Sequence, residues 1–517
     1  MKLLGKVGVV SAMTGVSRIF GLVREVAMAH FFGTSTLQSA FVIAFRVPNL
    51  FRRLFGEGAL GAAFIPIFTE IERTEGRERA QRFVSRILGL MICVLGLLVG
   101  LGIAASFGVE RLCGEASRWT EAMPLMRIML PYALLICVAA ILSAILNVHD
   151  RFAIPALTPV VLNLVWIAVL VGLCPFLPAE GYWRIGAVSW GILLAGFAQV
   201  CFQLPTLRRV GYRLLPDPRG WRASPYVRRV LLQMGPASLG IALAQINICL
   251  DGWLAFYGAS WAPSALEYAD RIIYLPLGLF GTAFATVLLP TYARQFADRA
   301  PEQAQETLCQ ALRNLLLLMA PMTAGLMLLA EPTVALIYQR GAFTAQSTLW
   351  TARAILAYAP GLLIFSANKV IVPLFYARKD LRTPVKVASW CILGNVACNL
   401  LSVLCLPEGW RHAGIAASTV LSSLTNTLIL LALLHRSGFR PNFRPLLRFA
   451  PRVLAATAVM AAAIVAADAL LPPWPLPLRL GLLIAFGGAL YFAVALALMP
   501  QALRAALKRR APGGARR

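Results

Sequence analysis

Apolar stretches long enough to cross a bilayer recur from one end of this chain to the other, and no soluble fold can bury so many. Windows able to span ~30 Å of hydrocarbon fall near residues 5–31, 35–71, 82–109, 121–148, 155–176, 184–206, 227–257, 264–293, 304–330, 347–376, 384–406, 412–435, 447–471 and 476–502. The chain is 59% hydrophobic and 14% charged, with mean hydropathy +0.73; soluble domains carry roughly 25% charged residues. The expectation is an all-α membrane protein of about fourteen transmembrane helices, because only helices or closed barrels satisfy the backbone in lipid. Proline at Pro48-Asn49 should break the second span.

A net charge of +26 raises the question of nucleic acid, but the basic residues sit in alternate loops. Arg73, Arg77, Arg79 and Arg82 follow span two, and Arg208, Arg209, Arg213, Arg219, Arg222, Arg228 and Arg229 follow span six. Similar clusters follow spans eight, ten and twelve, whereas the loops 258–263 and 472–475 are nearly free of them. This is the positive-inside pattern, with both termini cytoplasmic, and it argues against a nucleic-acid partner. Lys2 and Lys6 precede an apolar run, but Arg18 and Arg24 interrupt it and no small-residue cleavage site follows, so it reads as a retained first helix. The ten cysteines form no CxxC pair and no Cys/His cluster; Cys391, Cys398 and Cys405 recur on one helix face, as small packed hydrophobes do. No phosphate-binding GxxxxGK[ST] loop occurs, and nothing points to an enzyme.

An internal repeat is legible in spacing. Pro66 is followed after fourteen residues by Ala80-Gln81, and Pro290 after fourteen by Ala304-Gln305. Pro131 and Pro155, bracketing span four, stand twenty-four apart, as do Pro360 and Pro384 around span ten. A polar turn, Asp150-Arg151 or Lys379-Asp380, precedes the second member of each pair. The expected plan is an N-terminal lobe over 1–206, a basic cytoplasmic linker over 207–226, and a second six-helix lobe over 227–436. Spans thirteen and fourteen and a basic tail complete it over 437–517. Like-oriented halves related by a pseudo-two-fold along the membrane normal are a transporter plan.

Charges inside the spans each cost roughly 2.5–3.5 kcal/mol at the bilayer centre and call for a partner or an aqueous cavity. They are Arg18, Arg24, Glu25, Arg46, Arg52, Arg53, Glu57, Asp251, Glu267, Asp270, Arg271 and Lys369. Arg24 and Glu25 are adjacent, a spacing that points side chains in different directions and does not pair them. Arg271 has a plain structural alternative, an i, i+4 pair with Glu267. Taken together, Arg18, Arg24, Arg52 and Arg271 draw on both halves and suit an anionic substrate such as a phosphate or pyrophosphate, which guanidinium binds bidentately. Carboxylates, not arginines, would be expected of a cation or drug exporter. Asp251, with Asn395, Asn399 and Thr419, offers oxygen ligands fit for Na⁺; plain interhelical hydrogen bonding is the alternative.

The segments SAMTGVSRIFGLVREVAMAHFFG, AFRVPNLFRRLFGEGALGAAFIPIF and EYADRIIYLPLGLFG resemble the MurJ (MviN) family of lipid II flippases, in the multidrug/oligosaccharidyl-lipid/polysaccharide exporter superfamily. The resemblance implies two six-helix lobes around a cationic cavity and a groove for the polyprenyl tail at the last two helices. It implies lipid II and membrane lipids as partners, cell-wall synthesis and division proteins as neighbours, and the bacterial inner membrane as location. It implies substrate binding by Arg18, Arg24, Arg52 and Arg271, gating by Glu25 and Glu57, and a sodium site at Asp251, Asn395, Asn399 and Thr419, with no other cofactor. A flippase for another polyprenyl-linked glycan is the alternative within the same logic. One departure is Ser39, where many relatives carry an acidic residue.

Overall fold

In a computed structural model of the chain, residues 2–56, 59–114, 118–222 and 224–500 are described. Among them all regular structure is helical. The chain packs as two compact units, one running to Ser264 and including Arg340–Thr344, the other comprising Ala265–Gln339 and the chain from Ala345 onward.

The first unit contains α1 (Lys2–Phe32), α2 (Thr36–Phe51), α3 (Ala59–Thr74), α4 (Arg77–Cys113), α5 (Arg118–Met129), α6 (Tyr132–Val148), α7 (Ala153–Gly172), α8 (Trp183–Arg209) and α9 (Pro225–Gly258). Its core is built by aromatic and branched residues, with Phe64, Phe68 and Phe83 stacked at 5.4–5.5 Å. Packing groups α9 with this unit, against α2 and α3. The loop Arg340–Thr344 also docks here, with the Ala342 amide donating to the His30 carbonyl at 2.8 Å. That approach needs Gly33, whose φ of +55° and whose closeness to Ala342 leave no room for a Cβ.

The second unit contains most of α10 (Ala262–Pro276), then α11 (Thr282–Ala297), α12 (Pro301–Leu328), α13 (Ala330–Tyr338), α14 (Ala345–Tyr358), α15 (Gly361–Ala377), α16 (Arg382–Cys405), α17 (Glu408–Arg436), α18 (Arg444–Leu470) and α19 (Leu476–Leu498). The α18–α19 hairpin packs on α12, where the Tyr491 hydroxyl donates to the Leu317 carbonyl at 2.6 Å. Leu97, Leu101, Leu404, Leu428, Leu454 and Ile484 are exposed on helix exteriors, surface that only lipid solvates well.

The repeat extends to local backbone. Pro48 lies inside α2 and is followed by a π-helical turn, Arg52–Gly56; Pro276 ends α10 and is followed by a π-helical turn, Leu277–Gly281. Each proline withdraws an amide donor, and the wide turn re-routes the remaining carbonyls. The expected break in the second span is present, and the eighth is broken the same way. Pro131 interrupts its span between α5 and α6 and does not bracket it; Pro360 likewise separates α14 from α15, which are bent by 45°. The polar turns match too: Asp150 and Lys379 have φ of +59° and +61°. Gly211 and Gly438 both have φ +83° and close α8 and α17 with the same left-handed cap, before Tyr212 and Phe439.

Among the described residues, nine helices are long and apolar enough to cross a membrane, or ten counting the bent pair α14–α15. Length and composition therefore do not establish fourteen. The windows that fall short are α1, α9 and the broken pairs α2–α3 and α10–α11, which hold most of the in-span charges and the π turns.

The basic linker is docked on α4. The Arg213 amide donates to Gln81 Oε1 and Gln81 Nε2 to the Arg213 carbonyl, both at 2.9 Å, and the Asp217 amide donates to the Ser85 carbonyl at 2.9 Å. Glu72 accepts from the Tyr212 hydroxyl at 2.6 Å and lies 3.0 Å from His149 Nε2. Glu75 accepts from the Tyr226 hydroxyl and from Arg79, and these contacts, Tyr226 first, hold its carboxyl below the ordinary value of 4.5.

Candidate functional site: basic side chains of the broken spans

The arginines singled out by sequence occupy different environments. Arg18 is exposed on α1. Arg24, two turns on, is 8% exposed and held against α7. Its Nη1 donates to Asn163 Oδ1 at 3.0 Å, its Nη2 pairs with Glu25, and its guanidinium lies 4.3 Å from the Trp166 ring centroid. The expectation that Arg24 and Glu25 do not neutralise each other is therefore corrected. Neighbouring helical residues diverge at Cβ, but the long arginine arm spans the gap. Asn163 also donates to the Ser17 carbonyl at 3.3 Å, and Phe41 and Phe45 meet Trp166 edge-on. Asn163 and Trp166 thus position α1, a role missed by sequence reading although Asn163 is the one amide side chain in an apolar helix.

At the broken second span, Arg52 is half-buried and its Nε donates to Asn49 Oδ1 at 2.8 Å. Arg53 donates to Gln245 Oε1 at 3.2 Å and Arg46 to the Ile248 carbonyl at 2.7 Å, tying α2 and its π turn to α9. Gly252 allows the latter contact, since a Cβ there would overlap the Arg46 guanidinium. Glu57 lies outside the described residues. Ser39, at the position of the departure, is fully buried, and its hydroxyl donates to Ser264 Oγ at 2.9 Å. A neutral hydroxyl pair thus occupies the place where a carboxylate would need a cation.

In the second unit, Arg271 is exposed and pairs with Glu267 at 2.7 Å across i, i+4, the plain alternative foreseen for it. The Lys369 stem runs beside Gly281, at the end of the second π turn, where a Cβ would lie 3.3 Å from Lys369 Cδ. Asn395 and Asn399 are both buried on α16, and Asn399 Nδ2 donates to Asn395 Oδ1 at 3.1 Å. Thr419 on α17 donates to the Ile415 carbonyl at 3.1 Å. Asp251, in the first unit, accepts from Asn247 at 3.3 Å. The structure thus brings Asn395 and Asn399 together, while Asp251 belongs to the other unit. Each of the four residues carries an oxygen of the kind a hard cation takes, while the buried Asn395 Nδ2, an N–H donor and not a cation ligand, has no partner among the described residues. No cluster of three His, Cys, Asp or Glu side chains able to hold a metal occurs among the described residues.

One further in-span pair escaped the sequence reading. Arg127 on α5 pairs with Glu110 on α4, donates to Ser106 Oγ at 2.9 Å and lies 3.7 Å from the Phe107 ring centroid.

Long apolar helices with lipid-compatible exteriors, interrupted at proline–π junctions beside basic side chains, define a multi-pass membrane transporter fold. That fold is shared with a lipid II flippase MurJ in an inward closed conformation, at a TM-score of 0.79 and 24% identity, covering 96% of this chain and 99% of that one. It is shared also with an inward-facing multidrug resistance MATE family transporter of the MOP superfamily, at 0.67 and 16%, covering 83% and 98%. The family described as Lipid II flippase MurJ matches residues 28–479, and the chain belongs to that family. It is 36% identical over 510 residues to the probable lipid II flippase MurJ of Rhizobium meliloti, covering 96% of this chain and 94% of that protein. It is 33% identical over 459 residues to the lipid II flippase MurJ of Burkholderia cenocepacia, covering 87% of each.

Proposed function

We propose that the chain moves lipid II, the polyprenyl-pyrophosphate-linked peptidoglycan precursor, from the inner to the outer leaflet of the bacterial inner membrane. The observation that carries this reading is membership of the MurJ family across residues 28–479. The presence of arginines at Arg18, Arg24, Arg52 and Arg271 accords with it. In this mechanism both termini are cytoplasmic and a cationic cavity, to which each half contributes arginines, opens alternately to either side. Arg18, Arg52 and Arg271 capture the pyrophosphate, and Arg24 joins them when its contact with Glu25 opens. Glu25 and Glu57 act as gates, and the tail stays in lipid along α18 and α19. Outward movement of negative charge gains ~2.3 kcal/mol per charge per 100 mV in a negative-inside cell. Asp251, Asn395, Asn399 and Thr419 hold Na⁺ during the return of the empty carrier. No covalent bond changes, so the activity is transport and not catalysis, and cell-wall synthesis and division proteins are its natural neighbours.

The test is complementation of a flippase-depleted bacterium, with lipid II in the outer leaflet measured directly. Rescue with restored outer-leaflet lipid II is expected. Failure of the unmodified chain to rescue sinks the substrate assignment, and normal flipping by an Arg18→Ala, Arg24→Ala, Arg271→Ala variant sinks the cationic-cavity mechanism.

A further inference from the structure

Between α11 and α12 the second unit holds a cavity of about 730 Å³, within the usual range for small-ligand sites. Its polar lining is Thr291, Gln295, Gln303, Glu306, Thr307, Gln310 and Asn314, and its apolar end includes Phe284 and Leu288. In a chain of net charge +26, no arginine or lysine among the described residues lines this cavity, and the one charged side chain among them there is acidic. Gln295 Nε2 donates to Thr307 Oγ1 at 2.8 Å, while Gln295 Oε1 is buried with no partner among the described residues.

The bland reading is an ordinary wet flank of a helix leading into the membrane. The repeat argues against it. In the register that sets Ala80-Gln81 on Ala304-Gln305, Gln303, Glu306 and Gln310 stand where the first half has Arg79, Arg82 and Arg86. The first half carries the basic residues that orientation favours. The second has exchanged all three for amide, carboxylate and amide, and Asn314 replaces Leu90 one turn deeper. Such a lining repels phosphate and offers acceptors and donors to hydroxyls, amides and an ammonium group.

We propose that this cavity binds the head of the transported molecule: an amino-sugar peptide, rich in hydroxyls and amides and carrying a free amine that meets Glu306. The inference rests on the flippase reading above and adds that pyrophosphate and head group are recognised by separate surfaces. Carboxamides at Gln310 and Asn314 bind the neutral groups, and Glu306 selects for the amine.

The experiment uses the full chain in lipid nanodiscs and two probes. One is a muramyl pentapeptide with a free side-chain amine and neither phosphate nor lipid; the other is a sugar-free polyprenyl pyrophosphate. The Gln310→Leu, Asn314→Leu double variant is expected to bind the muramyl peptide about tenfold more weakly, as loss of two hydrogen-bonding groups implies. Glu306→Gln is expected to weaken it severalfold, and N-acetylation of the probe to abolish that difference. Pyrophosphate binding and the thermal midpoint should be unchanged in both variants. The proposal is overturned if the wild type does not bind the muramyl peptide, if the double variant binds it as the wild type does, or if both probes are lost together. Lipid II flipping by the unmodified chain in vesicles is measured in parallel. Its failure removes the flippase reading, whereas flipping with undiminished head-group binding by the variants removes the cavity proposal alone.

Discussion

The Arg24–Glu25 pair permits a test in which two damaging substitutions should repair each other. The side chains are 10% and 8% exposed, so water screens little of their interaction. Replacing Arg24 by Met takes its guanidinium partner from the buried Glu25 carboxylate, and replacing Glu25 by Gln leaves the guanidinium with Asn163 and the Trp166 face. Breaking a buried pair from one side typically costs roughly 3–5 kcal/mol, while replacing both charges by neutral groups is often close to neutral. Arg24→Met should therefore lose about 3 kcal/mol or more. Glu25→Gln should lose less, about 1–2 kcal/mol, because the amide oxygen still accepts and a cation over an aromatic face retains up to about 2 kcal/mol. The double variant should return to within about 1 kcal/mol of the wild type, far from the sum of the two losses. Reversible unfolding of the three variants in mixed micelles provides the free energies. Losses that add to within about 0.5 kcal/mol would refute the reasoning, since uncoupled sites behave that way. A double variant that folds yet no longer exposes lipid II on the outer leaflet would separate the stability of α1 from a role of Arg24 in transport.

Gly89→Ala places a Cβ 2.4 Å from the Asp217 carbonyl carbon and Pro218 nitrogen, so the linker should lift from α4; trypsin cleavage within 210–222 should accelerate severalfold, and an unchanged rate would contradict the docking. Glu75 has a depressed pKa, so its stabilising contact is complete above 4.5 and is lost as pH falls through the lower, folded-state value. The α3–α9 contact should loosen on acidification below about pH 4.5, as read by hydrogen exchange, and Tyr226→Phe should flatten that dependence. Tyr491→Phe removes the bond to the Leu317 carbonyl and should destabilise the α18–α19 hairpin by about 0.6–1.7 kcal/mol, the range for interhelical bonds in membranes, measured by thermal melting. Glu267→Gln removes the carboxylate charge paired with the exposed Arg271 and should tighten pyrophosphate binding by at most about fivefold; weakening beyond tenfold would mean that Glu267 organises the site.

The parts of the fold legible in sequence were those that spacing encodes. Proline and polar-turn positions revealed the repeat, and the π turns and the positive-φ turns at Asp150 and Lys379 recur in the same order in the two halves. Asn395 and Asn399 were readable as one pair because i, i+4 places them on one face. What spacing does not encode is side-chain reach and tertiary choice. Arg24 pairs with its neighbour because its arm is long, and Arg127 finds Glu110 on another helix. The π turns depend on which carbonyls the surrounding helices satisfy. Docking of the linker on α4 uses the linker's own backbone groups, which any sequence carries, against the Gln81 side chain and the Ser85 carbonyl. Helix α13 (Ala330–Tyr338) was not foreseen, since it is short and lies where an apolar window had just ended.

The arginines differ chiefly in what an incoming anion must displace. The exposed Arg271 gives up, among its contacts, the half-buried Glu267, an i, i+4 pair of a kind worth about 0–1 kcal/mol where it is exposed. Arg52 gives up, among its contacts, the part-buried side-chain amide of Asn49 three residues earlier. Arg24 must leave a carboxylate, an amide and an aromatic face at once, in a buried setting where separation of the pair costs several times more. Under the proposed flippase mechanism, a pyrophosphate would reach Arg24 only when some other event opens the α1–α7 contact. Under the flippase reading, this ordering divides the four arginines by task. In that proposal Arg18, Arg52 and Arg271 would receive the substrate at first contact, and Arg24 would couple its arrival to movement of the first helix, with Glu25 as the group exchanged.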